Sequence, residues 1–486
     1  MKKKQQMTKE LFRKAMLAGL GRCYIALRTG DKETYRAEVQ YGCLTNFSYD
    51  TQSNGTAEDY IYALVNCYDD PFSFLPALAE KYRTVDFSVT TDWDILYYTR
   101  LLTLFAKDGA KEAADAIHAR YDEYLAILMD PDRVVEDYVD YDEEIFTILG
   151  TALLRMHGTD AYVKIATDLN RLNVKVHIRC LDLAWLLIAM MELPAEPDFE
   201  TFVKENATED VSAFLSDYAY AKKRPHGYYE DEERDSDASE DEEDEEDEEI
   251  EEEEYEEEDE EEAPDVSKER VCFKPFYRWA SYYEDRRLWD EFPDVEDLIN
   301  HCRQESAKTL NKLRPYKDKP QDIELKTLIR YLDHYDEDVQ EVAQGIFKKR
   351  TDQDAVDYAL VRLGMRGPEW WTLSLLINAY VPENEQIIFY MMNKLSFDLE
   401  DEDYWHAVVY SVIGAIYDRK LDMPRSILNL IYERSLCRNC RKNVFEEMYR
   451  KGYVTPEMEK ECYYDANEEI VDFAKEHKFK KARFAK

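Results

Sequence analysis

The chain has 486 residues, 45% of them hydrophobic, and its 106 Asp/Glu against 63 Lys/Arg give a formal net charge of -43. Such acidity argues against docking on nucleic-acid phosphates or an anionic membrane surface, since both need clustered cations. No apolar run approaches the ~20 residues that span a bilayer, while the apolar content is enough for a buried core.

Helical periodicity runs through most of the chain. Gly (14) and Pro (15) are scarce, and alternating strand-like patterns are rare. Near the start, Arg13 and Lys14 interrupt the apolar stretch a secretory leader would need. Phe12, Met16, Leu20 and Tyr24 recur every fourth residue, which predicts one amphipathic helix. Thr56 with Asp59 resembles a capping box. Ile95, Tyr98, Leu102 and Phe105 form one helical stripe; Ile145, Ile148, Leu149, Ala152 and Leu153 form another. Residues 130–144 are rich in carboxylates but lack the glycine and oxygen spacing of a calcium loop, so they read as a solvated turn and helix start. The run "LAWLLIAMM" at 183–191 has the length of a buried helix.

Residues 230–262 then hold 27 Asp/Glu against Arg234 alone, which accounts for -26 of the net charge. Like charges four apart oppose a helix, and no apolar stripe compensates. The expectation is a disordered acidic low-complexity linker over 223–266 between helical arrays at 1–222 and 267–486. In the second array, "YDEDVQEVAQGIF" from Tyr335 and "YDANEEIVDFAKE" from Tyr464 share a pattern: an acid or amide cap, acidic first-turn residues, then apolar positions. These positions are Val339, Val342 and Ala343 in one, and Ile470, Phe473 and Ala474 in the other. The run at 407–417 also has buried-helix length. Pro424 and the Thr455–Pro456 pair mark helix starts.

The segment "LIRYLDHYDEDVQEVAQGIF" resembles a HEAT-type helical repeat: an apolar helix, an Asp-rich turn, and a second helix opening D-x-x-V and running on to Ala. Gln340 stands where that pattern carries a basic residue. The likeness is strong over about 30 residues and continues elsewhere as a periodic echo. The N-terminal stretch from Leu11 to Asp70 is similar to the start of bacterial repeat proteins of unassigned function. The resemblance implies an all-α, HEAT-like α-solenoid of stacked helix pairs, about 40–47 residues per unit, interrupted by the acidic insertion.

No P-loop, dinucleotide fingerprint or nucleophile elbow is present, so no catalytic residue and no cofactor is expected. Cys437 and Cys440 would share one face of a helix, which is half of a zinc site. Arg434, Arg438, Arg441 and Lys442 could favour a thiolate beside them. The other half is missing, because Cys462, His406 and His477 are scattered and the eight histidines show no metal spacing. Cysteines in or near a helical core are the plainer reading. The 37 tyrosines suit either interhelical packing or an interaction surface. Three basic clusters are candidate interaction sites that the acidic run could cover: Lys348, Lys349 and Arg350; Arg438, Arg441 and Lys442; and Lys478, Lys480 and Lys481 in a basic tail.

Nine cysteines without framework spacing suit reduced thiols in a cytoplasm. The expected function is a non-catalytic protein-binding scaffold or adaptor. One alternative is an acidic decoy, chaperone or immunity-type protein that neutralises a basic or nucleic-acid-binding partner through 230–262. The other is a thiol or metal protein centred on Cys437 and Cys440.

Overall fold

The computed structural model describes residues 7–49, 57–87, 92–130, 140–158, 295–395 and 402–484, with scattered positions between 161 and 171. Among them every regular element is a helix and none is a strand. The expected linker at 223–266, its acidic run and the apolar stretch at 183–191 lie outside the described residues. In chain order the α-helices are α1 (Lys9–Leu17), α2 (Arg22–Thr29), α3 (Arg36–Leu44), α4 (Glu58–Val65), α5 (Leu75–Arg83), α6 (Asp92–Lys107), α7 (Lys111–Leu128) and α8 (Asp140–His157). They continue with α9 (Val295–Leu313), α10 (Leu325–Ile329), α11 (Glu337–Phe347), α12 (Gln353–Arg366), α13 (Trp370–Asn378), α14 (Glu385–Lys394), α15 (Glu402–Tyr417), α16 (Arg425–Arg434), α17 (Arg438–Arg450), α18 (Pro456–Glu461) and α19 (Glu468–Glu476).

The chain forms two compact units, Met1–Asp237 with Leu428–Lys486, and Ala238–Ile427. Within the first unit the last helices carry partners of the first, as Glu461 does for Arg22. The division falls inside α16.

In the first unit α6, α7 and α8 pack on one another. The stripes read from the sequence supply that interface: Ile95, Leu102, Phe105, Ile145, Leu149 and Leu153 are fully buried and Ile148 partly so. Each large side chain hidden this way contributes about 1.5–3 kcal/mol relative to exposure. The single opening helix predicted by the Phe12–Tyr24 stripe is in fact two. Gly19 takes φ +71°, and the amides of Gly19 and Leu20 turn back onto the carbonyls of Met16 and Ala15, both at 2.9 Å. This left-handed cap ends α1, and only glycine adopts it without strain. Phe12, Met16 and Leu20 stay buried across the break. Tyr24 instead stacks on Tyr464 with ring centroids 4.5 Å apart. Thr56, the expected cap, lies outside the described residues, and α4 starts behind Ala57 with no side-chain cap. Thr455 performs as read, its hydroxyl accepting the Met458 amide at 3.2 Å with Pro456 next in line.

The second unit is built round α13, which is buried continuously from Trp371 to Ile377, with the hydroxyls of Thr372 and Ser374 bonded to Glu369 and to the Trp370 carbonyl. It packs against α11, α12, α14 and α15. Asp336 caps α11 through the Val339 amide and Asp352 caps α12 through the Ala355 amide, each at 3.1 Å. Val339 and Ala343 are buried. The resemblance segment opens on Leu328 and Ile329, the last two residues of the five-residue α10, passes through a turn and continues as the capped α11. Arg362 ties this interior together. Its guanidinium lies over Trp371 at 4.7 Å and grips Asp333 at 2.6 and 2.9 Å and Glu369 at 2.6 and 2.9 Å. Burial alone would raise the Asp333 carboxyl, but Arg362 and Arg366 hold it below its ordinary range.

Candidate functional site at the closure of the first unit

The start of α17 gathers the sequence-predicted cysteines and one arginine cluster. Cys437 leaves the helix in an extended conformation, and its sulfur accepts the Cys440 amide at 3.4 Å. A thiol thus occupies the capping role usually taken by Ser or Asp. Capping draws both sulfurs to the first turn, within 4.8 Å of one another, and both residues are buried. A helix N-terminus stabilises negative charge, so the arrangement suits a thiolate or a thiophilic ion. Arg438 runs inward rather than out to solvent. Its guanidinium donates to Ser48 Oγ at 3.1 Å and to the Ala466 carbonyl at 3.3 Å.

Beneath this turn lies a charged interior. Arg441, expected at a surface, is fully buried and makes a two-pronged pair with Asp465 at 2.5 and 2.8 Å. Asp465 also accepts the Asn467 amide at 2.8 Å. Asn467 caps α19 through Glu469 and Ile470 and donates to the Arg438 carbonyl at 3.0 Å. Such hydrogen bonds allow a buried pair to recover its desolvation cost. From α2, Arg22 reaches Glu461 at 2.7 and 2.8 Å and Glu433 at 2.6 and 2.8 Å, while the Tyr432 hydroxyl donates to Glu461 at 3.0 Å. Burial pushes the Glu461 carboxyl above its ordinary range, and Arg22 opposes it. Burial also works against the charge on Arg22, yet Glu461 and Glu433 raise its pKa overall.

The backbones meet as closely as the side chains. The Ala466 amide donates to the Gly19 carbonyl at 2.9 Å. A Cβ at Gly21 would sit 1.9 Å from the Glu461 carbonyl oxygen, so nothing larger than glycine fits there. Burial raises the Cys23 and Cys43 thiols to about 12 and Cys67 to about 11, and pushes Cys462 well up. Those four behave as small apolar groups rather than nucleophiles.

The other predicted interaction residues divide by burial. Arg350 is inside the second unit, bonded to Asp352 at 2.7 Å and to the carbonyls of Pro320 and Ile323, so it braces the fold instead of offering charge. Lys348 lies over the Trp370 ring at 4.8 Å, where burial lowers its pKa, and Lys349 donates to the Lys317 carbonyl at 2.8 Å. Lys442 pairs with Glu469 at 2.8 Å. The basic tail does not dangle: Tyr463 donates to the carbonyls of Ala474 and Phe479, and Lys481 stands over the rings of Tyr463 and Tyr464. Lys478, Lys480 and Lys481 remain exposed.

Two histidines that sequence spacing did not pair do meet. His118 on α7 and His157 at the end of α8 bring their Nε2 atoms to 2.8 Å. No local motif could have found them, because the helix pairing supplies the proximity. Comparison of the chain with protein-family models, curated proteins and solved structures finds no match.

Proposed function

We propose that the chain is a non-catalytic, protein-binding helical scaffold of HEAT-like stacked pairs, and that it binds its partner through the outer faces of α12, α14 and α15. One observation supports this reading above others. Of the twelve large apolar side chains that are exposed among the described residues, eight belong to the second unit. Val361 (62% exposed) and Met365 (81%) stand one turn apart on α12, and Tyr410 (67%) and Tyr417 lie two turns apart on α15. Phe389 and Tyr390 add to this from α14. Exposed apolar surface of this kind marks interaction sites, and aromatic rings offer contact area at little rotamer cost. Exposed Asp354 shares the outward stripe of α12 with Val361 and Met365, so a partner that combines apolar and basic groups suits this face. The buried thiols fit a reducing, cytoplasmic setting. No helix among the described residues is long and apolar enough to cross a membrane.

The test is co-purification with the tagged full chain and with V361E/M365E, both checked for unchanged helicity. Recovery of at least one partner protein should fall by tenfold or more in the variant. An identical set of partners at equal recovery contradicts the reading.

A second reading draws on the approach of the Cys437 and Cys440 sulfurs, in which the pair holds a thiophilic ion. Metal analysis of anaerobically purified protein and of Cys437→Ser decides it. Stoichiometric metal lost in the variant supports the idea; equal traces in both end it.

A further inference from the structure

The α7–α8 pair carries a side-chain cluster that neither reading uses. His118 and His157 are 39 positions apart, yet their Nε2 atoms lie 2.8 Å from one another, with ring centroids 4.9 Å apart and planes tilted by 34°. At that distance one nitrogen must donate to the other, so a single proton lies between the two rings. Carboxylates and lysines both stand near the pair. Asp115 and Asp122 flank His118 one turn away on either side of α7, and His157 occupies the last turn of α8, where helix carbonyls present partial negative charge. Lys164 is the opposing charge, but it is held by Asp122 at 3.0 Å and Asp168 at 2.9 Å and sits over the Tyr121 ring at 4.3 Å. Lys111 is likewise paired with Asp115 at 2.6 Å.

We propose that His118 and His157 are a two-imidazole site for a divalent cation of the nickel–copper class, bound in place of the shared proton and joining α7 to α8. The separation of the nitrogens selects the geometry. With metal–nitrogen bonds of about 2.05 Å, two ligands at a right angle lie about 2.9 Å apart, whereas a tetrahedral angle needs about 3.3 Å. The observed 2.8 Å is close to the first separation, and because the rings face each other with centroids 4.9 Å apart, each must tilt by roughly 20° to aim its lone pair at a shared ion. Tetragonal coordination of nitrogen and oxygen ligands is the preference of Ni(II) and Cu(II). Water fills the remaining positions. Binding displaces the proton between the rings and therefore weakens in acid.

Ni(II) is the suitable probe, because it does not oxidise thiols as Cu(II) does. Calorimetric titration of the full chain at about pH 7.5 should show one site, weakened at least tenfold by His118→Asn or by His157→Asn and again at about pH 5.5 in the wild type. Cys437→Ser/Cys440→Ser should bind as the wild type does. Ni(II) should also raise the melting temperature of the wild type but not of His118→Asn. Unchanged affinity in both histidine variants, or loss of binding in the cysteine variant, overturns the proposal. Should a histidine variant fold poorly, paramagnetic broadening of imidazole signals in the wild-type protein decides instead. Loss of the His118 and His157 signals at substoichiometric Ni(II) supports the site, and broadening of other histidines first refutes it.

Discussion

Arg441 and Met365 mark the contrast between the two units. In the first, a guanidinium is taken fully out of water and matched by Asp465; in the second, a thioether that could be buried is 81% exposed. The first unit spends its polar groups inside, on closing the end of the chain over its beginning through Arg22, Glu461, Arg441, Asp465 and the Gly19 carbonyl. The second also holds Arg362 between Asp333 and Glu369 inside, but it is built round α13 and presents Val361, Met365 and Tyr410 outward. The difference teaches that charge and function need not coincide. The polar cluster that catches attention as a site serves closure, while the apolar face that resembles ordinary packing sequence is the better candidate for recognition.

The contrast can be broken in steps. The largest effect is expected from Arg441→Met, which leaves Asp465 buried and alone. It should destabilise the first unit by about 3–5 kcal/mol in denaturant unfolding, and Arg441→Met with Asp465→Leu should recover much of that loss, since removing both charges relieves the desolvation. Next comes Gly21→Ala. Its φ of -63° is ordinary, so the whole cost is the clash with the Glu461 carbonyl, about 1–3 kcal/mol by the same measurement. In the second unit Asp333 gives a pH signature. Its folded pKa lies below the ordinary 3.8, so the unfolded chain binds the proton more readily. The stabilisation is therefore complete above about 3.8 and lost as pH falls through the lower folded value. Asp333→Asn should flatten that acid limb, monitored by Trp371 fluorescence. The smallest stability effect belongs to V361E/M365E, within about 0.5 kcal/mol, although recovery of at least one partner should fall by tenfold or more. A large loss of stability there would mean that the face is packed rather than offered.

The helical class, the stripes of α6 and α8, and the caps at Asp336, Thr455 and Asn467 were legible because each depends on residues within a few positions. What was not legible depends on distance along the chain. The Phe12–Tyr24 stripe reads as one helix because periodicity ignores the left-handed turn at Gly19, which Ala466 and Arg441 close over. Arg441 and Arg350 read as surface charge because their carboxylate and carbonyl partners cannot be assigned before the fold is known. The Cys437–Cys440 pair was visible from its spacing, and His118–His157 was not, since 39 residues and a helix pairing separate them.

Native-state hydrogen exchange on Arg441→Met tests the central claim most directly, because it reads local stability helix by helix. If the last helices close the first unit, amides of α1, α2 and α4 should lose protection together with α17–α19, while α11–α15 keep theirs. Loss confined to α17–α19, with the N-terminal helices protected as in the wild type, would contradict the account.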